Sequence, residues 1–268
     1  MGFKLVAIDI DGTLVNRKKE ITHKTKSALM ALQKSGVRLA IATGRPPIGA
    51  MAYVKELELE KYGGFLVAYN GASVIDCANN EAICAEKFPP KHIKPLYDIS
   101  QKYGLTIMTY EGDTIISENC SDQYLEIEAR INGLAKKQVN SIVDYVDFDV
   151  PKCIMLGDGE YLASIEDKVF AEIGDDLNAI RSEPIFLEIV SNGIDKAFGL
   201  AEILRNINAE KDQLIAFGDG FNDRTMIEFA GVGVAMGNAQ DVVKKVADFV
   251  TLSNQEDGIA FAIEKYFQ

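Results

Sequence analysis

The sequence predicts an α/β protein: a parallel sheet covered on both faces, interrupted by an inserted α+β domain. Three observations predict it. Short, apolar, partly β-branched runs alternate with helical stretches at both ends of the chain. These runs stop at turns rich in glycine and polar residues, as buried strands do. Between them, from about Ala85 to Val190, the segments are shorter and less uniformly apolar.

The elements follow in order. Phe3-Lys4-Leu5-Val6-Ala7-Ile8 reads as a buried strand ending at Asp9-Ile10-Asp11-Gly12-Thr13. Thr22 is placed to cap a helix through Ser27–Leu32, and Gly36 stops it. Val37–Ala42 is a second buried strand, ending at Thr43-Gly44-Arg45-Pro46, and a helix covers Ile48 to Leu57. Phe65–Tyr69 is a third strand, ending at Asn70-Gly71-Ala72. In the middle block, Leu105–Met108 and Thr114–Ile116 form strands around a Glu111-Gly112-Asp113 turn. Asp122–Ile131 and Tyr161–Phe170 are helical, and Pro89-Pro90 and Asn192-Gly193 flank the block as linkers. The first rhythm then returns. Gln213–Phe217 is a strand ending at Gly218-Asp219-Gly220-Phe221-Asn222-Asp223. A helix Arg224–Phe229, a strand Val232–Ala235, a helix Asp241–Val246, a strand Phe249–Thr251 and a helix Ile259–Tyr266 close the chain. The domain reading is a core in two parts, 1–84 and 191–268, around an inserted domain at 85–190.

Composition narrows the function. The 268 residues are 47% hydrophobic and 25% charged, an ordinary globular balance with ample material for a core. The net charge of −12 argues against a nucleic-acid partner, because an acidic surface repels a phosphate backbone. The same surface would repel a small phosphorylated ligand unless cations in the site reverse the local field. Cys77, Cys84, Cys120 and Cys153 form no CxxC pair, and only His23 and His92 supplement them, so a zinc site is poorly supplied. The cysteines read as reduced thiols of a cytoplasmic protein, both histidines read as solvated, and no apolar run is long enough for a membrane span. The Gly231–Gly237 segment has an apolar run inside it and a helical segment before it, so it reads as turns around a short strand rather than a dinucleotide fingerprint. No GxxxxGK[ST] loop occurs, which disfavours a P-loop NTPase.

The strand ends carry the chemistry. Acids at the carboxyl end of a buried strand lie where open α/β sheets bind ligands. Asp9 and Asp11 end one strand, Thr43 another, and Asp219, Asn222 and Asp223 a third, while Lys196 opens a helix after the middle block. If these strands are neighbours, several carboxylates converge on one lysine, one hydroxyl and many backbone N–H groups. Two like charges at 4 Å cost about 4 kcal/mol at an effective dielectric of 20, so such a cluster calls for a cation. Hard oxygen donors in small number suit Mg²⁺, with Asp9 and Asp219 as its candidate ligands.

These motifs, in this order, resemble the haloacid dehalogenase (HAD) superfamily of phosphotransferases. The matching residues are Asp9-Ile10-Asp11-Gly12-Thr13, Thr43 in Ala42-Thr43-Gly44-Arg45, Lys196, and Gly218-Asp219-Gly220-Phe221-Asn222-Asp223. The insertion between Thr43 and Lys196, with Asn70-Gly71-Ala72 and Met236-Gly237-Asn238-Ala239, resembles the Cof-type subgroup and its large α/β cap. The resemblance implies a Rossmann-like core and a phosphatase that works through a phospho-aspartate. Asp9 would be the nucleophile and Asp11 the general acid and base, with the Asp11 backbone carbonyl also touching Mg²⁺. Thr43 and the N–H groups near Ile10 and Gly44 would hold phosphate oxygens, and Lys196 would offset negative charge. Asp219 would bind the metal, Asn222 would touch phosphate or a metal-bound water, and Asp223 would support the site from behind. Arg45 and Asn70 are further candidate substrate contacts.

The expected substrate is a small phosphorylated metabolite, sugar phosphates first, because a domain closing over a site excludes polymers. A monomer is expected. The alternatives are a phosphomutase, which releases an isomerised phosphosugar instead of free phosphate, and a non-catalytic sensor of phosphate ligands.

Overall fold

The computed structural model of the chain describes residues 2–267. The chain folds into two compact units. The first comprises Met1–Gly44, Ala50–Cys84 and Asp195–Gln268, and the second comprises Arg45–Gly49 and Ala85–Ile194.

The first unit opens with β1 (Leu5–Ile8), α1 (His23–Lys34), β2 (Arg38–Ala42), α2 (Pro47–Glu56), α3 (Leu59–Tyr62), β3 (Phe65–Ala68), β4 (Ser73–Asp76) and β5 (Glu81–Ala85). Thr22 caps α1 as its sequence position predicts, its side chain accepting a hydrogen bond from Thr25 N at 3.2 Å. Leu29 and Leu32 bury the inner stripe of α1, and Gly36 follows with φ +95°, a conformation glycine adopts freely.

The second unit contains α4 (Ile93–Lys102), β6 (Thr106–Glu111), β7 (Thr114–Ser117), α5 (Gln123–Asn132), β8 (Ala135–Gln138), α6 (Ile142–Tyr145), β9 (Cys153–Leu156), α7 (Gly159–Glu172), β10 (Leu177–Glu183) and β11 (Phe186–Ser191). Its sheet runs β10-β11-β9-β6-β7-β8, antiparallel throughout except for the parallel pair β7–β8. Ile93, Leu96, Ile107, Met155, Leu162, Val169, Leu187 and Ile189 join one apolar core that seats α4 and α7 against this sheet. Side chains alternate across a strand, so Glu188, between Leu187 and Ile189, points to the opposite face. There a buried polar cluster forms. Lys152 Nζ lies 2.8 Å from Glu188 Oε2, Ser182 donates to Glu188 Oε1 at 2.6 Å, and Tyr110 donates to Glu128 at 2.7 Å. Pro89 and Pro90 lie inside this unit, where Pro90 opens a single 3₁₀ turn, rather than at its edge. His92 is half-buried against Phe88, not solvated, and burial pushes its imidazole below the usual histidine range.

The chain returns to the first unit as α8 (Lys196–Asn206), β12 (Leu214–Gly218), α9 (Arg224–Phe229), β13 (Val232–Ala235), α10 (Asp241–Lys244), β14 (Phe249–Val250) and α11 (Gly258–Tyr266). The eight-stranded sheet has the order β14-β13-β12-β1-β2-β3-β4-β5. Its first six strands are mutually parallel, and β4 joins β3 antiparallel. Every residue of β1 is fully buried, which requires cover on both faces of the sheet. The two central neighbours of β1 come from opposite ends of the chain, β12 on one side and β2 on the other. That topology brings distant strand ends together. The four cysteines are free thiols, and burial pushes Cys77 and Cys153 up to about 12. No helix among the described residues is long and apolar enough to cross a membrane.

Candidate active site

The register of the parallel sheet builds the site. Ile8 pairs with Phe217 and with Ile41, so the residues after them leave the sheet side by side. Asp9 follows β1, Thr43 follows β2, and Asp219 follows β12. Asp9 keeps its backbone tied to the sheet through an N–H donated to Phe217 O at 3.0 Å. Thr43 N donates to Val67 O at 2.8 Å, and Thr43 O accepts from Asn70 N at 3.0 Å, which ties the ends of β2 and β3 together.

Lys196 reaches this point from the first turn of α8. Asp195 caps that helix, accepting from Phe198 N at 2.8 Å. The Tyr69-Asn70-Gly71 turn lets the helix start come close. All three residues have positive φ, and a Cβ on Gly71 would lie 2.0 Å from Asp195 O, so only glycine fits there. The Lys196 ammonium, fully buried, donates to Asp9 Oδ1 at 2.7 Å and to Asp223 Oδ1 at 2.5 Å. Burial opposes its charge, but Asp223 and Asp9 outweigh burial and hold the ammonium above the usual lysine range.

Asp223 uses both oxygens. Oδ1 meets Lys196, and Oδ2 accepts from the N–H groups of Asp219 and Gly220 at 2.8 Å each. It therefore fixes the loop that carries Asp219. Asp219 is gripped from two further sides, by Thr13 Oγ1 at 2.6 Å and by Asn238 Nδ2 at 3.2 Å. Gly12 lies against the same carboxylate; with φ +86°, its Cβ would meet Asp219 Oδ2 at 2.2 Å. Asn238 also donates to the Gly12 carbonyl at 2.8 Å, so one amide bridges the two loops. Neither Thr13 nor Asn238 was assigned a role from the sequence. Thr13 stands within the quoted Asp-x-Asp-Gly-Thr motif and Asn238 within Met236-Gly237-Asn238-Ala239, and those motifs were the available signal.

The electrostatics are unbalanced. Asp9, Asp219 and Asp223 each place a carboxylate oxygen within 4.8 Å of the others. Burial, then Asp223, raises the Asp9 carboxyl well above the usual carboxylate range, with Asp219 and Asp11 adding to the shift and Lys196 opposing it. One ammonium does not neutralise this set. A hard divalent cation fits the imbalance and the all-oxygen donors; Asp9 and Asp219 would hold it, because they are the more accessible two of the three and Asp223 is 1% exposed.

The remaining candidates fall as follows. The Ile10 side chain is buried and its carbonyl accepts from Val15 N at 3.2 Å. Asp11 is partly exposed and turns its Oδ1 to Lys19 Nζ at 2.6 Å. Asn222 Nδ2 donates to Asn70 Oδ1 at 2.9 Å, pairing two candidate substrate contacts. Gly44 ends the first segment of the first unit. Arg45 belongs to the second unit, where Nη1 donates to Gly49 O at 3.1 Å and the guanidinium favours the charged form of Glu128.

The sequence profile of the haloacid dehalogenase-like hydrolases matches residues 6–263. This chain belongs to that family. It is a Cof-type member of the HAD superfamily, and it is an enzyme. Among curated relatives of this HAD hydrolase, the 5-amino-6-(5-phospho-D-ribitylamino)uracil phosphatase YitU of Bacillus subtilis is 32% identical over 267 residues, covering 98% of this chain and 97% of YitU. Among solved structures, a haloacid dehalogenase-like hydrolase from Bacteroides thetaiotaomicron is 42% identical with a TM-score of 0.87, covering 98% of this chain and 99% of the other. The HAD subclass IIB sugar phosphatase BT4131 is 27% identical with a TM-score of 0.82, covering 98% and 99%.

Proposed function

We propose that this HAD hydrolase is a Mg²⁺-dependent phosphatase of small phosphorylated metabolites, sugar phosphates first, acting through a phospho-aspartate on Asp9. The observation that carries the reading is the buried Lys196 ammonium, shared between Asp9 and Asp223 beside Asp219. A nucleophilic carboxylate needs nearby positive charge before it can approach a phosphate dianion. The relatives' names support the substrate class: one acts on a phosphoribityl compound and another is a sugar phosphatase.

In the first step an Asp9 oxygen attacks phosphorus, forming an O–P bond as the ester O–P bond breaks. Asp11 gives its proton to the leaving oxygen. In the second step Asp11 takes a proton from water, the water oxygen bonds to phosphorus, and the Asp9 O–P bond breaks. Lys196 favours the charged form of Asp9 and aligns its carboxylate. Thr43, Asn222 and the N–H groups near Ile10 and Gly44 hold phosphate oxygens, and Asp223 holds both Lys196 and the Asp219 loop. Mg²⁺, when bound by Asp9, the Asp11 carbonyl and Asp219, supplies charge neutralisation between nucleophile and phosphate. Arg45 and Asn70 are proposed as substrate contacts.

The test is release of inorganic phosphate from p-nitrophenyl phosphate and a panel of phosphorylated metabolites, by protein freed of metal and then given Mg²⁺. Turnover that needs both Mg²⁺ and Asp9, with sugar phosphates among the best substrates, is the expected result. Turnover that survives metal removal or Asp9→Ala contradicts it.

A further inference from the structure

Asn238 is an exposed residue on the loop after β13, yet its side chain makes three hydrogen bonds around the site. Nδ2 donates to the Gly12 carbonyl at 2.8 Å and to Asp219 Oδ2 at 3.2 Å, while Oδ1 accepts from Asn254 N at 3.0 Å. The third bond fixes the direction of the amide. A backbone carbonyl and an ionised carboxylate only accept, so a reversed amide would set oxygen against oxygen on one side and N–H against N–H on the other. One orientation alone satisfies all three partners.

The backbone holds Asn238 at this place. Met236 N donates to Gly218 O at 3.0 Å and Gln240 N donates to Asp219 O at 2.9 Å, so main-chain bonds on either side of Asn238 tie its loop to the Asp219 loop. Gly237 N donates to Leu252 O at 3.0 Å, and a Cβ on Gly237 would lie 2.8 Å from Ser253 N, so the loop packs tightly on the segment that carries Asn254. Asn254 in turn donates from Nδ2 to Val15 O at 2.7 Å. The chemistry of the grip is as informative as its geometry. The Lys196 ammonium meets Asp9 and Asp223, whereas Thr13 Oγ1 and Asn238 Nδ2 bring uncharged donors to the two oxygens of Asp219. An uncharged donor orients a carboxylate without neutralising it, and each oxygen keeps a lone pair for a further partner.

We infer that Asn238 is a positioning residue for the divalent cation. It holds the Asp219 carboxylate with an oxygen within 4.8 Å of an Asp9 oxygen, and it leaves the Asp219 charge to the metal. This rests on the reading in which Asp9 and Asp219 hold Mg²⁺. Hydrogen-bond partners of metal ligands contribute about 10–100-fold to metal affinity. The same bonds add little to folding stability, because water competes for an exposed amide.

The experiment titrates Mg²⁺ alone into the metal-free full chain by calorimetry, for wild type, Asn238→Ala, Asn238→Lys and Asp219→Asn. Thermal unfolding of each metal-free protein, and turnover of p-nitrophenyl phosphate across Mg²⁺ concentrations, accompany it. Asn238→Ala is expected to raise the Mg²⁺ Kd about tenfold or more. It melts within about 4 °C of wild type and recovers most of its kcat when Mg²⁺ is raised in proportion. Asn238→Lys brings an ammonium to Asp219 in competition with the metal, so it binds Mg²⁺ more weakly than Asn238→Ala does. A purely structural role would move stability and leave the affinity of the folded protein unchanged. An Asn238→Ala affinity equal to wild type, a melting temperature far below it, or a kcat that excess Mg²⁺ does not recover overturns this inference alone. So does an Asn238→Lys protein that binds Mg²⁺ as tightly as Asn238→Ala. A wild type that binds no Mg²⁺, or an Asp219→Asn protein that binds it as tightly as wild type, overturns the placement of the metal and this inference with it.

Discussion

Asp9 is surrounded by more negative charge than Lys196 neutralises, and that imbalance governs its behaviour. Burial and Asp223 raise its folded-state pKa above the value in the unfolded chain. The folded state then binds the Asp9 proton more tightly. For the metal-free protein, this group's contribution to stability falls as pH rises from about 4 towards the raised value. Asp9→Asn removes the charge and keeps the shape. It is expected to lower kcat by at least about 10³-fold, while the metal-free variant unfolds at a higher temperature than wild type, measured near neutral pH. A lower melting temperature would mean that Asp9 stabilises the site. The convergence of Asp9, Asp219 and Lys196 was legible because acids at strand ends and a lysine at a helix start leave local marks. The grip of Thr13 on Asp219 was not legible, since its partner lies 206 residues away and a threonine after glycine reads as a turn. The influence of Arg45 on Glu128, far away in sequence, was hidden for the same reason.

At the scale of elements, the apolar strands of the parallel sheet were legible, whereas β8 to β11 of the second unit were not. The strands β1, β2, β3, β12 and β13 match their apolar runs to within one or two residues, and the helix Arg224–Phe229 matches its reading. By contrast, β8 is Ala-Lys-Lys-Gln, exposed throughout, and pairs only with β7. Charged edge strands resist further pairing, and so carry no apolar alternation to detect. The strands β10 and β11 escaped because polar residues interrupt them, and Glu188 shows why. It is 3% exposed, and its partner Lys152 is 1% exposed, so each is held in the interior by the other. Lys152→Met should destabilise the protein by about 3–5 kcal/mol, because it removes the ammonium that balances a buried carboxylate. Lys152→Met with Glu188→Leu should recover most of that loss. Denaturant unfolding of both variants checks this, and a single mutant as stable as wild type would show that the pair carries no buried charge cost.

For the molecule as a whole, a net charge of −12 makes the site's own cations and any bound metal decisive. The interrupted parallel sheet was legible from the return of the strand–helix rhythm after about residue 190, and the parallel pairing of β12 with β1 reflects it. If Asp9 and Asp219 hold Mg²⁺ only in the folded state, adding the ion stabilises the protein, by about 2.7 kcal/mol at one hundred times its dissociation constant. Thermal unfolding should therefore shift upward with Mg²⁺ in wild type and not in Asp219→Asn; an equal shift in both would place the ion elsewhere. The most direct test concerns the covalent step. Asp11→Asn protein, which cannot activate water, is mixed with p-nitrophenyl phosphate and Mg²⁺, quenched in acid, digested and analysed by mass spectrometry. The expected result is one phosphoryl group on the peptide containing Asp9, absent when Asp9 is also replaced by Asn. Turnover by Asp11→Asn at the wild-type rate, or a phosphoryl group on any other residue, would contradict the account.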